Sequence, residues 1–559
     1  MTAEATAASP GAEGTLKLAS MKTIVAASSA GTAFEWYDFF IFGSLATLIG
    51  KLFFSNLGET AGFIAALGTF GAGFLFRPVG ALVFGRIGDK LGRKGAFLVT
   101  VSLMGLATLA VGFLPTYSQV GILAPILLLV LRMVQGFALG GEYGGAAIYV
   151  AEHAPVSRRG EYTGWIQISA SLGLIGALGV IFVSRRLLGD AAFNAWGWRI
   201  PFFFSAFLLA ISLWMRMRLH ESPSFVKMQA EGKGSKAPFV ESFLTPRYLK
   251  IVILALFAIM VAQGVVWYTA FFYSQFFMER ILKLDPNTVT LLLLAATLAS
   301  APLYVLFAAL SDRIGRKPVM MFGMALAILS FFPAFQVMTR FANPALAAAS
   351  HDTPVTVIAD PRACTLQFDP VGKTKFTSSC DIAKSTLANA GVSYANQAAP
   401  KGTVASVNVG AETIVSAEGT GLPAAQFKAV QGGVQGKIKA ALKAAGYPDK
   451  ADPARVNFLG VLAMRLVFVV AATALYGPIA SCMVELFPTR IRYTAMSLPY
   501  NIGTGWVGGF VPSIVFAMVA ANGNMYFGLW YPVVGTAISF IVALFFLPET
   551  RGRDLDVET

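Results

Sequence analysis

Twelve stretches of mostly apolar residues divide this 559-residue chain, at 24–50, 61–85, 95–114, 120–150, 162–184, 198–218, 249–278, 288–309, 319–340, 457–483, 494–521 and 526–548. Each reaches the roughly 20 residues that a helix needs to cross the hydrocarbon core of a bilayer. Only 13% of residues are charged and 56% are hydrophobic. A soluble chain of this length carries about twice that share of charge, so a soluble enzyme and a disordered chain are both excluded. The fold expected is an all-α membrane protein of twelve transmembrane helices.

The net charge of +14 suggests nucleic acid at first sight. The basic residues, however, stand in short clusters between the apolar runs, which is the pattern of inside-positive loops. The N-terminal side of the bundle collects the excess, so both termini are expected in the cytoplasm of a bacterial inner membrane. No nucleic-acid partner is expected. Three cysteines and three histidines occur without CxxC or HExxH spacing, so neither a metal nor a cofactor is expected. Residues 1–20 are polar and lack the shape of a cleavable signal.

The expected organisation is a tail (1–22), a six-helix half (23–218), a central cytoplasmic loop (219–248), and a second half in two parts (249–340 and 457–548) before a tail at 549–559. Segment 341–456 interrupts the second half between helices nine and ten. It has no Trp and no spanning run, and it follows the ninth helix, so it faces outward as a small extracytoplasmic domain or a loop. Residues 354–359 read as a strand and 425–445 as a helix. Cys364 and Cys380 would lie in an oxidising compartment, where a disulfide or two thiols are equally open. An outside partner for this segment is a further option.

The halves repeat one another. Asp89-Lys-Leu-Gly-Arg93-Lys94 returns as Asp312-Arg-Ile-Gly-Arg316-Lys317, 223 residues later. Glu152-His-Ala-Pro155 returns as Glu485-Leu-Phe-Pro488, 333 residues later, each followed by two arginines. The 110-residue difference between the offsets is the size of the insert. Two parallel halves of this kind suit alternating access, with a site near the midplane between them.

The Asp-x-x-Gly-Arg-Lys loops resemble the signature of the major facilitator superfamily. Phe34-Glu-Trp-Tyr-Asp38-Phe-Phe, Gly73-Phe-Leu-Phe-Arg-Pro-Val-Gly80, Arg132-Met-Val-Gln-Gly-Phe-Ala-Leu-Gly-Gly-Glu-Tyr-Gly-Gly145 and Trp196-Gly-Trp-Arg-Ile-Pro-Phe202 resemble its metabolite:proton symporter branch. That resemblance implies carriage of 2-oxoglutarate-, shikimate- or citrate-like anions, or of compatible solutes. The long insert departs from the branch's usual pattern.

Six ionisable residues fall inside the spans: Glu35, Asp38, Arg77, Arg132, Glu142 and Arg465. Intramembrane charge is costly, so each is a functional candidate. Glu35 and Asp38 share a face of the first helix, at a depth similar to Arg132 on the fourth. With no histidine inside a span, a carboxylate must carry any coupled proton, and Glu35, Asp38 and Arg132 form the expected proton switch. The resemblance implies the same roles for an acid on helix one and an arginine on helix four. A static ion pair that fixes packing is the alternative.

Arg132, Gln135, Glu142 and Tyr143 lie along one stripe of helix four. Arg132, Gln135 and Tyr143 are candidate substrate contacts, Arg132 supplying positive charge at the midplane, and Glu142 is assigned to gating. Gln167, Gln263, Trp267, Tyr268 and Asn501 are further cavity candidates. Arg465 either snorkels at the outer end of helix ten or binds a carboxylate. Arg77, eight residues before Gly85, reads as structural or gating. Asp89 and Asp312 are expected to cap helix N-termini. Arg93 and Arg316 should pair across the halves, with Lys94, Lys317, Glu152 and Glu485 in the same gates.

The function expected is uptake of a small organic anion together with a proton, by a monomer drawing on the proton gradient. A zwitterionic osmolyte of betaine or proline type is the alternative substrate, lowered by the absence of a C-terminal heptad tail. A non-transporting sensor using the outer segment is a second alternative, and enzymatic activity is not expected.

Overall fold

In the computed structural model the described residues are 21–55, 59–218, 221–365 and 376–555. Twelve long helices are labelled in chain order: α1 Met21–Ser44, α2 Glu59–Leu91, α3 Arg93–Phe113, α4 Leu123–His153, α5 Arg159–Ala195 and α6 Ile200–Met217, then α7 Pro246–Ile281, α8 Pro286–Ile314, α9 Arg316–Ala342, α10 Phe458–Leu486, α11 Arg492–Asn522 and α12 Phe527–Phe546. Among the described residues, ten helices, α3 to α12, are long and apolar enough to cross a membrane. The first two carry charge within their length: α1 has Lys22, Glu35 and Asp38, and α2 has Glu59, Arg77, Arg86, Asp89 and Lys90.

The polarity is arranged inside out relative to a soluble protein. Leu106, Phe182, Phe207, Leu298, Leu329 and Phe545 are exposed on the outside, whereas Arg93, Arg132, Arg316, Arg465 and Arg492 are buried. Such a surface suits lipid, and the polar interior suits a transport path.

Glycine sets the helix spacing within the first half. A Cβ on Gly80 would stand 1.8 Å from the Phe137 carbonyl oxygen, and one on Gly136 would stand 1.9 Å from that of Gly73. Thus α2 and α4 touch backbone to backbone, as small residues permit in lipid.

The segment between α9 and α10 corrects the all-α expectation. It contains a four-stranded sheet in the order β2-β1-β3-β4: β1 Val355–Ala359, β2 Tyr394–Ala398, β3 Ser406–Val409 and β4 Glu412–Val415. β1 runs parallel to β2 through the crossover helix Ser379–Ala390, and antiparallel to β3. Alternation puts Val355, Val357 and Ala359 inward, where they meet a core with Val407, Ile382, Leu387 and Ile438. The helix Ala424–Ala444 covers the sheet. Cys364 and Cys380 form a disulfide with Cα atoms 5.2 Å apart.

This segment is seated on the bundle rather than hanging from it. The Tyr394 N–H donates to the Gly523 carbonyl (2.9 Å), the Met525 N–H to Ser393 Oγ (3.0 Å), and the Ala451 N–H to the Lys283 carbonyl (3.1 Å). It therefore rests on the ends of α7 and α11. These two helices also contain π-helical turns, at Leu256–Met260, Thr269–Tyr273, Phe277–Ile281 and Ile502–Gly508. Such turns are frequent where a helix serves function.

Candidate transport site

The Gly-Arg-Lys loops build one matched structure twice. After Gly92 (φ 112°) the chain turns into α3, and after Gly315 (φ 109°) into α9. Both positions need the left-handed freedom of glycine. Asp89 accepts the N–H groups of Tyr493 (3.2 Å) and Thr494 (2.8 Å), in the first turn of α11. Asp312 accepts those of Gly160 (2.9 Å) and Glu161 (2.8 Å), in the first turn of α5. Each aspartate caps a helix of the other half, where the dipole favours negative charge.

A second layer of charge crosses at the same end. Arg93, like Arg316, finds its acids within its own half, which corrects the expected pairing across the halves: Asp89 stands at 2.6 Å and Glu152 at 3.7 Å, and it is Glu152 that crosses, holding Arg492 at 2.7 Å. Arg316 pairs with Asp312 at 2.6 Å and with Glu485 at 3.2 Å, and Glu485 holds Arg159 at 2.9 Å. Arg159 and Arg492 stand 333 residues apart and are among the arginines that follow the repeated Glu-x-x-Pro; that signal was present in the sequence, though neither was singled out. Glu221 and Glu549, also missed, accept the backbone N–H groups of Arg93–Lys94 and Arg316–Lys317. Lys94 donates to the Met217 carbonyl and Lys317 to those of Leu544 and Leu547, each at 2.9 Å. Gly85 meets Thr494 across the halves, a Cβ there falling 2.8 Å from its Cα. This end of the bundle is closed.

Deeper in, the three residues expected to form one switch are divided between two arrangements. Asp38 accepts from the Ser205 hydroxyl and neighbours Thr108 and Arg132. Arg132 lies over the Phe42 ring, its Cζ 3.4 Å from the centroid. Glu35 instead pairs with Arg216 of α6 at 2.8 Å, both side chains buried. Arg216 was not counted among the intramembrane charges, because it stands one turn from the end of its apolar run; the tally of six is corrected by its burial.

Gln135 donates to Thr108 Oγ1 at 2.8 Å. It lines, with Phe39, Phe74, Arg77, Met104 and Arg132, a cavity of about 10 Å³, room for about one water. Arg77 and Asn501 were expected in different roles and are joined: Arg77 Nε donates to Asn501 Oδ1 at 3.1 Å, and Asn501 Nδ2 to the Gly140 carbonyl at 2.8 Å. Gln167 donates across the halves to the Tyr476 carbonyl at 3.4 Å.

Aromatic rings close the centre between the halves. Trp36 faces Trp267 at 6.0 Å and Phe74 faces Tyr268 at 6.0 Å. Trp267 Nε1 donates to the Tyr304 hydroxyl at 2.9 Å, and Tyr476 and Tyr500 share a hydrogen bond of 2.8 Å. These three tyrosines were missed; single aromatics on apolar helices carry no mark that separates lining from packing. Gln263 is buried, and its Oε1 has no partner among the described residues. Arg465 is wholly buried, which corrects the snorkelling option. The side chains of Glu142 and Tyr143 lie outside the described residues. No cluster that could hold a metal occurs among the described residues.

Comparison with known proteins agrees with this architecture. The family described as Major Facilitator Superfamily matches residues 28–350, and that described as Sugar (and other) transporter matches 440–558. The Shikimate transporter of Escherichia coli (strain K12) is 38% identical over 357 residues, covering 62% of this chain and 80% of its own. The Glycine betaine/proline/ectoine/pipecolic acid transporter OusA of Dickeya dadantii (strain 3937) is 27% identical over 542 residues, covering 96% and 85%. In fold, the proton:xylose symporter XylE bound to 6-bromo-6-deoxy-D-glucose superposes with a TM-score of 0.63 at 16% identity, over 96% of this chain and 98% of that one. The chain is a membrane transporter and belongs to the major facilitator superfamily.

Proposed function

We propose that this transporter carries a small carboxylate-bearing metabolite together with a proton, by alternating access between two six-helix halves. The single observation that carries the reading is Asp38 on α1, buried beside Arg132 of α4, Thr108 and Ser205, with Arg132 on the wall of the central cavity. An arginine there stabilises the carboxylate when it is ionised, and burial favours its protonated form. Held between these opposed influences, the carboxylate takes up or releases a proton as its surroundings open and close. The Asp89 and Asp312 caps, with the Glu152 and Glu485 layers, form the gate at the loop end. Gln135, Gln263, Trp267, Tyr268 and Asn501 supply the remaining contacts around the path.

In this reading α1 and α2 complete twelve spans, both termini face the cytoplasm of a bacterial inner membrane, and the 341–456 segment stands outside on a monomeric carrier. The proton gradient is the energy source, with no cofactor. One unit charge crossing 100 mV is worth about 2.3 kcal/mol, enough to drive accumulation.

Two substrate readings stand side by side. A relative named as a shikimate transporter favours an organic anion, and relatives named for proline and betaine favour a zwitterion. Both share a carboxylate. Uptake of labelled shikimate, proline and glycine betaine into proteoliposomes, with internal pH followed by a trapped dye, tests the proposal. Uptake of one of these with acidification of the lumen is expected. Uptake without proton entry contradicts it.

A further inference from the structure

Helices of the first half meet around one hydroxyl. Thr108 of α3 is fully buried and stands beside both Asp38 of α1 and Gln135 of α4. Its Oγ1 accepts the Gln135 Nε2–H at 2.8 Å and gives its own proton to the Met104 carbonyl, one turn back on α3, at 2.9 Å. Gln135 lines the central cavity with Arg132, and its Oε1 has no partner among the described residues. One side of this amide is tied to Thr108 and the other is unspent.

A hydroxyl has one proton and two lone pairs, whereas a carboxyl only accepts when ionised and also donates when protonated. Thr108 therefore cannot donate to the Met104 carbonyl and to an ionised Asp38 at once. With its proton on Met104, it has a lone pair to offer Asp38, which suits a protonated carboxyl. When Asp38 ionises, the Thr108 proton turns to the carboxylate. The Gln135 N–H, the Thr108 O–H and the carboxylate then form a chain in which each bond polarises and strengthens the next. Protonation of Asp38 breaks that chain at Thr108, whose oxygen then serves two donors, and the hold on Gln135 loosens.

Among the described residues, the charged or titratable groups that act on Asp38 are Arg132 of α4 and the adjacent Tyr37 of α1, whose hydroxyl donates to the Pro201 carbonyl at 2.9 Å. α3 and α6 offer only the hydroxyls of Thr108 and Ser205. Glu35, three residues earlier on α1, is held by Arg216.

We propose that Thr108 is a positioning residue that carries the protonation state of Asp38 to Gln135, so that the amide is released to the substrate when Asp38 holds a proton. The inference rests on Asp38 as the proton carrier of the proposed function. It gives the coupling an order: the proton first, then the substrate. Binding then tightens as pH falls through the range in which Asp38 takes up its proton.

The test is equilibrium binding of radiolabelled shikimate and glycine betaine to the purified full-length protein, from mildly alkaline to mildly acidic pH, for the wild type, Thr108→Val, Thr108→Ser and Asp38→Asn. Wild-type binding is expected to tighten about tenfold across that range. Thr108→Val keeps the shape without the hydroxyl and is expected to retain about threefold or less, the part that Asp38 passes directly to Arg132. Thr108→Ser is expected to restore most of the dependence. A packing defect weakens binding at every pH and leaves the profile. The full pH dependence in folded Thr108→Val, with its loss in Asp38→Asn, overturns the inference and leaves the proposed function standing. Where Thr108→Val does not fold, Gln135→Leu decides: a flattened profile supports the relay, and the full pH dependence overturns it at any affinity. Failure of the wild type to bind either probe, binding that ignores pH, or pH dependence that survives in Asp38→Asn overturns the proton-carrying role of Asp38 and this inference with it.

Discussion

Asp89 of one half accepts the backbone N–H of Thr494 of the other at 2.8 Å, so a carboxylate at the end of α2 holds the first turn of α11. Asp312 repeats the contact on Glu161 at the same 2.8 Å. A cap is worth about 1 kcal/mol, and more when charge-assisted. Replacing Asp89 by Asn should therefore shift the closed loop end toward opening by about 1–2 kcal/mol, roughly a 5–30-fold change in population. Spin labels at the exposed Arg86 and Arg313 should report a longer distance in Asp89→Asn and a still longer mean in the double variant with Asp312→Asn. An unchanged distance distribution would remove the caps from the gate.

The pair of Glu35 and Arg216 is a structural brace in this account. Both side chains are buried, 2.8 Å apart. Removing one partner strands a charge, at a cost of about 3–5 kcal/mol. Arg216→Gln should lose most of its folded yield, and Glu35→Gln/Arg216→Gln should recover part of it. Fluorescence-detected size exclusion with a thermal ramp reads both. Recovery in the double variant separates a pair from two independent defects.

Backbone contact between α2 and α4 predicts a sharp contrast between glycines. A Cβ at position 136 would overlap the Gly73 carbonyl, whereas nothing lies within 4 Å of one at Gly95. Gly136→Ala should force the helices apart and cost several kcal/mol, on the scale of overpacking in a core. Gly95→Ala should leave the melting temperature within error.

The Cys364–Cys380 bond closes a 16-residue separation, for which chain entropy gives about 3 kcal/mol. Replacing both by Ser should lower the stability of the sheet-bearing segment by that order. Limited proteolysis should then cut there first while the bundle stays intact. Simultaneous loss of the bundle would show that the segment supports it through Tyr394, Ser393 and Ala451.

Ten of the spans were legible because a lipid-facing helix must be apolar over a fixed length. The caps at the loop end were legible because their residues recur at a constant offset, so Asp89 and Asp312 could be assigned before any geometry. Glu221 and Glu549 escaped because each sits outside the repeated motif and reaches it only through folding. Arg216 escaped because a charge near the end of an apolar run has the same local pattern whether it faces water or a buried acid. Strand β1 alternates and was found. β2 buries only Tyr394, and β3 and β4 have four residues each, too short for alternation to speak. The joining of Arg77 to Asn501, 424 positions apart, is tertiary and has no local trace.

The central claim is that Asp38 carries the proton. Reconstituted Asp38→Asn, which keeps the size and the contact to Ser205 but cannot ionise, measures it most directly. The account predicts that uptake driven by an imposed pH gradient falls to background, while exchange of labelled for unlabelled substrate across the same membrane persists without a gradient. Normal gradient-driven accumulation in that variant would contradict it.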